Sequence, residues 1–146
     1  MKKTILVINS GSTSLKYRLF AVGKNPREIQ SDYIQNIGSS KVKNHGQALK
    51  LALQEFDNLD EIIAVGHRVV HGGEEFTEPV IINKRNLSQL EKFDKLAPLH
   101  NPANIQGIKA CLKLLSGVPN IAVFDTAFHK NIPEKAYRYA LPEKYY

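Results

Sequence analysis

The sequence predicts a mixed α/β sheet, and three observations support this fold class. A buried strand at residues 4–8 is followed after a short turn by a second strand, so the chain opens as a hairpin. Apolar residues at helical spacing then alternate with short apolar runs that are typical of buried strands. The 146 residues contain no internal repeat or linker, which predicts a single domain over residues 1–146.

The strands are predicted from two kinds of pattern. Residues 4–8 are mostly β-branched and apolar on both faces, as expected for a strand in the middle of a sheet. From Leu15 to Ala21, apolar residues alternate with Lys16 and Arg18, which indicates a strand pairing with the first. A weaker third strand and two short buried strands complete the prediction, at residues 29–37, 62–65 and 121–124.

Three helices are predicted, at residues 47–56, 86–96 and from Asn101 to about Gly117. Asn101 is predicted to cap the third helix because Pro102 follows it and suits the first helical position. The inward faces are expected to include Leu51 and Leu112. No closing element is predicted for residues 133–146.

Charge and cysteine content restrict the classes of function. Lys and Arg exceed Asp and Glu by 20 to 14, but the basic residues are scattered, which favours small anionic ligands or a merely basic surface over nucleic acid. Cys111 is the only cysteine, so no disulfide can form within the chain and a reduced cytoplasm is the expected location. No apolar stretch approaches the length of a membrane span, so no membrane partner is expected.

The first segment that could carry chemistry is NSGSTSLK, at residues 9–16. Gly11 would let backbone amides approach an anion, the Ser12 and Ser14 hydroxyls could donate to phosphate oxygens, and Lys16 adds a positive charge. The segment matches neither the Walker A loop nor the dinucleotide fingerprint. A phosphate turn and a simple hairpin turn rich in small residues both remain open at this point.

The second segment is VGHRVVHGG, at residues 65–73, at the end of a buried strand. Arg68 there suits bidentate recognition of a carboxylate or phosphoryl group at the carboxyl edge of the sheet. His67 and His71 invite a zinc interpretation, but no acidic third ligand lies nearby. We therefore expect the two histidines to form hydrogen bonds with the backbone or with a ligand.

The third and fourth segments are LAPLHNP, at residues 96–102, and VFDTAFH, at residues 123–129. His100 precedes a helix, and Asp125 stands where a strand leaves the sheet, a frequent place for a functional carboxylate. Each also has a plain structural interpretation, His100 as a hydrogen-bonded structural histidine and Asp125 as a cap or turn residue.

Together, the four segments in this order resemble the acetate kinase family, within the larger group of sugar kinase, actin and Hsp70-like ATPases. The resemblance implies a ribonuclease H-like mixed sheet flanked by helices, one lobe of a two-lobed kinase whose C-terminal nucleotide-binding lobe is absent here. It implies reversible phosphoryl transfer from ATP to acetate, giving acetyl phosphate and ADP, with Mg²⁺ as cofactor. This chain alone is expected to be inactive.

The resemblance also implies roles for individual residues. Asp125, Arg68 and His100 are the expected catalytic residues, and Arg68, Val70 and Leu99 are expected to bind the acid. The expected residues for ATP phosphates and for magnesium are Ser12, Ser14 and Lys16, and Asn9, respectively. A carboxylic acid with a pKa of about 4 to 5 is already ionised at neutral pH, so the reaction needs no general base. Asp125 is thus expected to orient Arg68 or magnesium-bound water.

Two alternatives stay open. A propionate or butyrate kinase lobe would differ mainly in the pocket at Val70 and Leu99, where one methylene changes discrimination by only about 1 to 3 kcal/mol. A non-catalytic binding or assembly fragment could keep the same residues. The family resemblance further implies a homodimer.

Overall fold

Six strands form one mixed sheet in the computed structural model, which describes residues 3–145. In chain order they are β1 (Thr4–Gly11), β2 (Ser14–Ala21), β3 (Arg27–Gln35), β4 (Ile62–Val69), β5 (Val80–Ile81) and β6 (Asn120–Phe124). Across the sheet their order is β3-β2-β1-β4-β6-β5. The predicted α/β class is confirmed. Residues 1, 2 and 146, the ends of the predicted 1–146 domain, lie outside the described residues.

The pairing brings three carboxyl ends together. β1 runs antiparallel to β2 and parallel to β4, which in turn runs parallel to β6. The carboxyl ends of β1, β4 and β6 therefore lie at one edge of the sheet, where ligands bind in open α/β sheets. β5 pairs antiparallel with β6 and was not predicted, because two residues are too few to show a pattern.

Within residues 3–145, four α-helices accompany the sheet: α1 (His45–Gln54), α2 (Lys84–Glu91), α3 (Asn101–Leu114) and the short α4 (Glu134–Tyr137). The predicted helix at 86–96 is divided, because α2 ends at Glu91 and a 3₁₀ segment follows at Lys92–Lys95. The expectation of no closing element is wrong, since α4 and a 3₁₀ segment at Glu143–Tyr145 lie within residues 133–146. None of the helices among residues 3–145 is long and apolar enough to span a membrane.

The predicted cap of α3 is also wrong. Asn101 is the first helical residue, Pro102 follows it, and His100 occupies the cap position without a side-chain hydrogen bond. The Asn101 side chain instead accepts from the backbone N–H of His71 at 3.1 Å and donates to its carbonyl at 2.9 Å. The Asn101 side chain thus forms its hydrogen bonds with the backbone of His71, which is distant in sequence, and not with the first turn of its own helix.

The core lies on one face of the sheet, beneath the helices. One cluster joins β1 and β2 to α1 and includes Leu6, Ile8, Leu15, Tyr17, Ala48 and Leu49. A second joins β4 and β6 to α2 and α3 and includes Val69, Phe76, Leu90, Ile105, Ile108 and Phe124. Leu51 and Leu112, which were predicted to face inward, are 41% and 36% exposed. A helix lying on a sheet buries only a stripe, so the predicted faces were too broad.

Candidate active site

A row of polar side chains crosses the face of the sheet opposite the core. Asn9 on β1 is the direct partner of Lys16 on β2. The parallel pairing of Ile8 with His67 means that Asn9 and Arg68 come next on their strands. Ile8 and His67 are buried in the core, so the residues that follow them lie on the opposite face. Because neighbouring strands are about 4.8 Å apart, three predicted site residues lie side by side.

Arg68 and Asp125 form a bidentate ion pair at the end of this row. The Arg68 Nε lies 3.0 Å from both Asp125 carboxylate oxygens, and its Nη2 lies 2.7 Å from Oδ2. This hydrogen bonding raises the pKa of Arg68, while partial burial opposes the shift. The side chains are 50% and 41% exposed, so their ion pair contributes little to stability. It does fix the plane of the guanidinium group, which suits recognition of a further anion.

Two buried asparagines of α3 hold the chain where β4 ends, and sequence reasoning missed this role. Asn104 accepts from the N–H of Val70 at 3.1 Å and donates to the carbonyl of Ser10 at 2.6 Å. Asn101 binds the backbone of His71, as described above. The available signal was spacing, because Asn101 and Asn104 share the helical face of Ile105 and Ile108, which sequence predicts to be buried.

The segment that follows β4 depends on close packing at its glycines. Gly73 has φ +62, and a side-chain carbon there would collide with the Phe93 ring. The Gly72 N–H donates to the Thr126 hydroxyl at 3.1 Å, which links this segment to the one that follows β6. Arg68 and Asp125 are thereby presented from two segments that contact each other.

The turn between β1 and β2 is shorter than predicted. Asn9 and Gly11 belong to β1 and only Ser12 and Thr13 form the turn, both exposed. Ser14 is half-buried and opens β2. The two strands of a hairpin can stay paired up to a loop of two residues, and small residues near the loop do not prevent this pairing.

Lys16 lies three residues beyond the turn, on the exposed face of β2. Its Nζ lies 4.7 Å from the centre of the Tyr33 ring, within range of a cation–π interaction. The lysine therefore belongs to the row with Asn9 and Arg68 more than to the turn itself.

The remaining predicted residues lie in exposed or half-buried positions. His100 and Leu99 immediately precede α3, and Leu99 is 76% exposed. Val70 is half-buried and follows Arg68 by two residues. A groove of about 480 Å³ is lined by His71, Gly73, Glu74, Glu75, Phe93 and Leu96, and neither Val70 nor Leu99 lines it.

The two histidines of the second segment have structural partners. The His67 Nε2 lies 2.7 Å from Asn120 Oδ1, and His71 Nδ1 accepts from the N–H of Gly73 at 2.9 Å. No group of three His, Cys, Asp or Glu residues suited to a metal occurs within the described chain. His71 binds the backbone as expected, whereas the partner of His67 is a side chain and not the expected backbone or ligand.

Burial lowers the pKa of His67 from 6.5 to about 4, and the hydrogen bond with Asn120 opposes this shift only in part. Below pH 6.5 the unfolded chain takes up a proton that the folded chain excludes until about pH 4. Stability is therefore lost as pH falls, by about 2 kcal/mol between about pH 7 and about pH 5. Urea unfolding of the wild type and His67→Gln should show a smaller loss in the variant. An equal loss in both would contradict this assignment.

The sheet order and the helices on one face define a ribonuclease H-like α/β domain, and the Arg68–Asp125 pair lies at its carboxyl edge. The Acetokinase family profile matches residues 34–146. The chain belongs to the Acetokinase family, which confirms the resemblance drawn from the four sequence segments.

The relatives agree with this assignment. The chain is 46% identical to an acetate kinase of Thermotoga maritima, covering 97% of this chain and 41% of the relative. Among solved structures, acetate kinase from Porphyromonas gingivalis matches 98% of this chain with a TM-score of 0.87 and 36% identity. A propionate kinase from Francisella tularensis matches 97% with a TM-score of 0.71 and 35% identity. The chain covers 42% of each of these two structures.

Proposed function

We propose that this chain is the N-terminal lobe of an acetate kinase, which transfers phosphoryl from ATP to acetate and gives acetyl phosphate and ADP. Membership of the Acetokinase family and the similarity to acetate kinases support this proposal. The observation that carries it is the Arg68–Asp125 pair at the carboxyl edge of the sheet. Because the chain spans about two-fifths of the relatives' length, it supplies one side of the active site and is inactive alone.

On the acid side, Arg68 would bind the carboxylate or the transferring phosphoryl group, and His100 would donate to phosphoryl oxygens. Asp125 holds the guanidinium plane through two hydrogen-bonding nitrogens, which supports an orienting role. A carboxylate nucleophile carries no proton to remove, so these residues act by positioning and by neutralising charge.

On the nucleotide side, Ser12 and Ser14 would donate to phosphate oxygens and Lys16 would add positive charge. Asn9, beside Lys16 and Arg68 on the open face, would hold Mg²⁺ through its side-chain oxygen. The donor set suits Mg²⁺, which usually takes one or two protein oxygens and completes its shell with phosphates and water. Magnesium would neutralise phosphate charge when bound.

A propionate or butyrate kinase is the second candidate, and the similarity to a solved propionate kinase favours keeping it. Val70 and Leu99 would contact the methyl end of the acid, and the exposure of Leu99 gives room for another surface to close the pocket. A non-catalytic binding or assembly fragment is the remaining alternative.

The cellular location, oligomeric state and partners of the protein are also proposed from its family membership. We propose a cytoplasmic protein that forms a homodimer and binds neither nucleic acid nor membrane. Light scattering of the purified chain, alone and joined to the missing part, would determine where the dimer contacts lie.

The proposal is tested by joining residues 1–146 to the part of Thermotoga maritima acetate kinase that lies beyond the matched segment. The fusion is supplied with ATP, magnesium and acetate, propionate or butyrate, and acyl phosphate is trapped with hydroxylamine. We expect product with the highest kcat/KM for acetate. The intact Thermotoga maritima enzyme is the positive control.

A preference for propionate or butyrate would assign the chain to the second candidate. A fusion that is folded by circular dichroism but forms no acyl phosphate from any of the three acids would contradict the proposed function.

A further inference from the structure

His45 is a buried polar residue outside the motifs that suggested the site. It is the first residue of α1 and only 4% exposed, and the N–H of Gln47 is bound by Asn44, which caps the same helix. The His45 Nε2 lies 2.7 Å from the carbonyl oxygen of Gly11, and its Nδ1 lies 3.0 Å from Oε1 of Gln106 on α3. Three elements therefore meet at one imidazole.

The contact with Gly11 defines one nitrogen of this ring. A carbonyl oxygen can only accept, so Nε2 must carry the hydrogen and donate it. Gln106 can present either its oxygen or its nitrogen to Nδ1, because the two ends of an amide group exchange by rotation. The donation from His45 to Gly11 holds in both arrangements.

Three carbonyls at the hairpin tip are bound from outside the hairpin. The Ser10 carbonyl accepts from Asn104, the Gly11 carbonyl lies against His45, and the Thr13 carbonyl accepts from the N–H of Ile37 at 2.9 Å. A carbonyl oxygen facing a bound anion would repel it, whereas backbone N–H groups and hydroxyls attract it. Because these three carbonyls are bound to buried partners, they do not repel an anion at the exposed tip. Backbone N–H groups and hydroxyls of Ser12 and Thr13 can then donate to it.

We infer that His45 is a positioning residue that holds the Ser12–Thr13 turn in the conformation that receives a phosphate group. The inference rests on the proposed phosphate role of Ser12 and Ser14, and it adds a residue on a different element. Gln106 orients the ring from α3, and its side chain lies at the exposed surface of the helix.

The test is a titration of this chain with inorganic pyrophosphate, followed by the backbone amide shifts of Ser12, Thr13 and Ser14. Wild type and His45→Gln, which keeps a donor near Gly11, should bind alike. His45→Phe, which keeps bulk without a donor, should raise the dissociation constant for pyrophosphate about fivefold, the effect of one lost hydrogen bond. Gln106→Leu, a milder surface change, should also raise this dissociation constant.

His67→Phe is the matched control. His67 is also a buried histidine, and its replacement removes the hydrogen bond that it donates to Asn120 without touching the turn. It should lower thermal stability while pyrophosphate still binds as in the wild type. Should His45→Phe prove unfolded, Gln106→Leu decides the result. Unchanged binding in folded His45→Phe and Gln106→Leu would overturn the positioning role while leaving the kinase proposal intact.

Absence of any wild-type shift at Ser12 to Ser14 would also overturn the inference, since the turn would then not bind phosphate. The acyl phosphate assay of the fusion enzyme reports separately whether the proposed kinase function survives that result.

Discussion

Replacing Arg68 with alanine in the fusion enzyme should lower kcat/KM for acetate by about 1,000-fold or more, the range found when a charge-stabilising group is removed from phosphoryl transfer. The guanidinium is held by Asp125 at 2.7 to 3.0 Å and lies in the row of polar side chains on the open face of the sheet. Initial rates of acyl phosphate formation measure the effect. Thermal unfolding should change little, because the ion pair is half exposed.

Arg18→Ala is the matched control for this variant. Arg18 lies on the same face of the sheet and pairs with Glu28 at 3.3 Å, with its side chain 65% exposed. Its removal should leave the rate within about twofold, because exposed ion pairs contribute little. If Arg68→Ala retains the wild-type rate with acetate, Arg68 has no role in binding or transfer.

Replacing Asp125 with asparagine should lower kcat by about 100-fold, with a small change in stability. Asparagine keeps the size of the side chain but offers one acceptor oxygen in place of two and removes the negative charge beside Arg68. The guanidinium would then lose its fixed plane and deliver less charge to the transition state. Steady-state rates of the fusion enzyme and urea unfolding of the chain measure the two effects.

Glu91→Gln is the control for the loss of a surface carboxylate. Glu91 pairs with Lys109 at 2.6 Å, and its 40% exposure matches the 41% of Asp125. Both variants should show a similar small change in unfolding free energy, and only Asp125→Asn should lose activity. An active, stable Asp125→Asn enzyme would leave Asp125 as a turn residue.

Much of the fold could be predicted because its elements carry local patterns. The alternation in β2 and the apolar runs of β1, β4 and β6 placed four of the strands to within a few residues. β5 could not be predicted, since Val80–Ile81 is held by pairing with β6 and not by its own sequence. Asn101 was misassigned because a cap is a local expectation, whereas its partner His71 lies 30 residues away.

In the candidate site, too, residues marked by a local pattern could be predicted and residues held by distant contacts could not. Arg68 and Asp125 could be selected because each follows a buried strand, and parallel pairing of β4 with β6 then brings them together. Asn104 and His45 could not be selected in this way. Helical spacing marks Asn104 as buried, but their partners are backbone carbonyls of β1, 94 and 34 residues away, and the sequence does not identify such distant partners.

The central claim is tested most directly by mixing two separately produced parts, this chain and the remaining part of Thermotoga maritima acetate kinase. Acyl phosphate formed from ATP, magnesium and acetate is measured for each part alone and for the mixture, and association is followed by light scattering. We expect product only in the mixture. Background rates in a mixture whose two folded parts demonstrably associate would contradict it and favour a non-catalytic fragment.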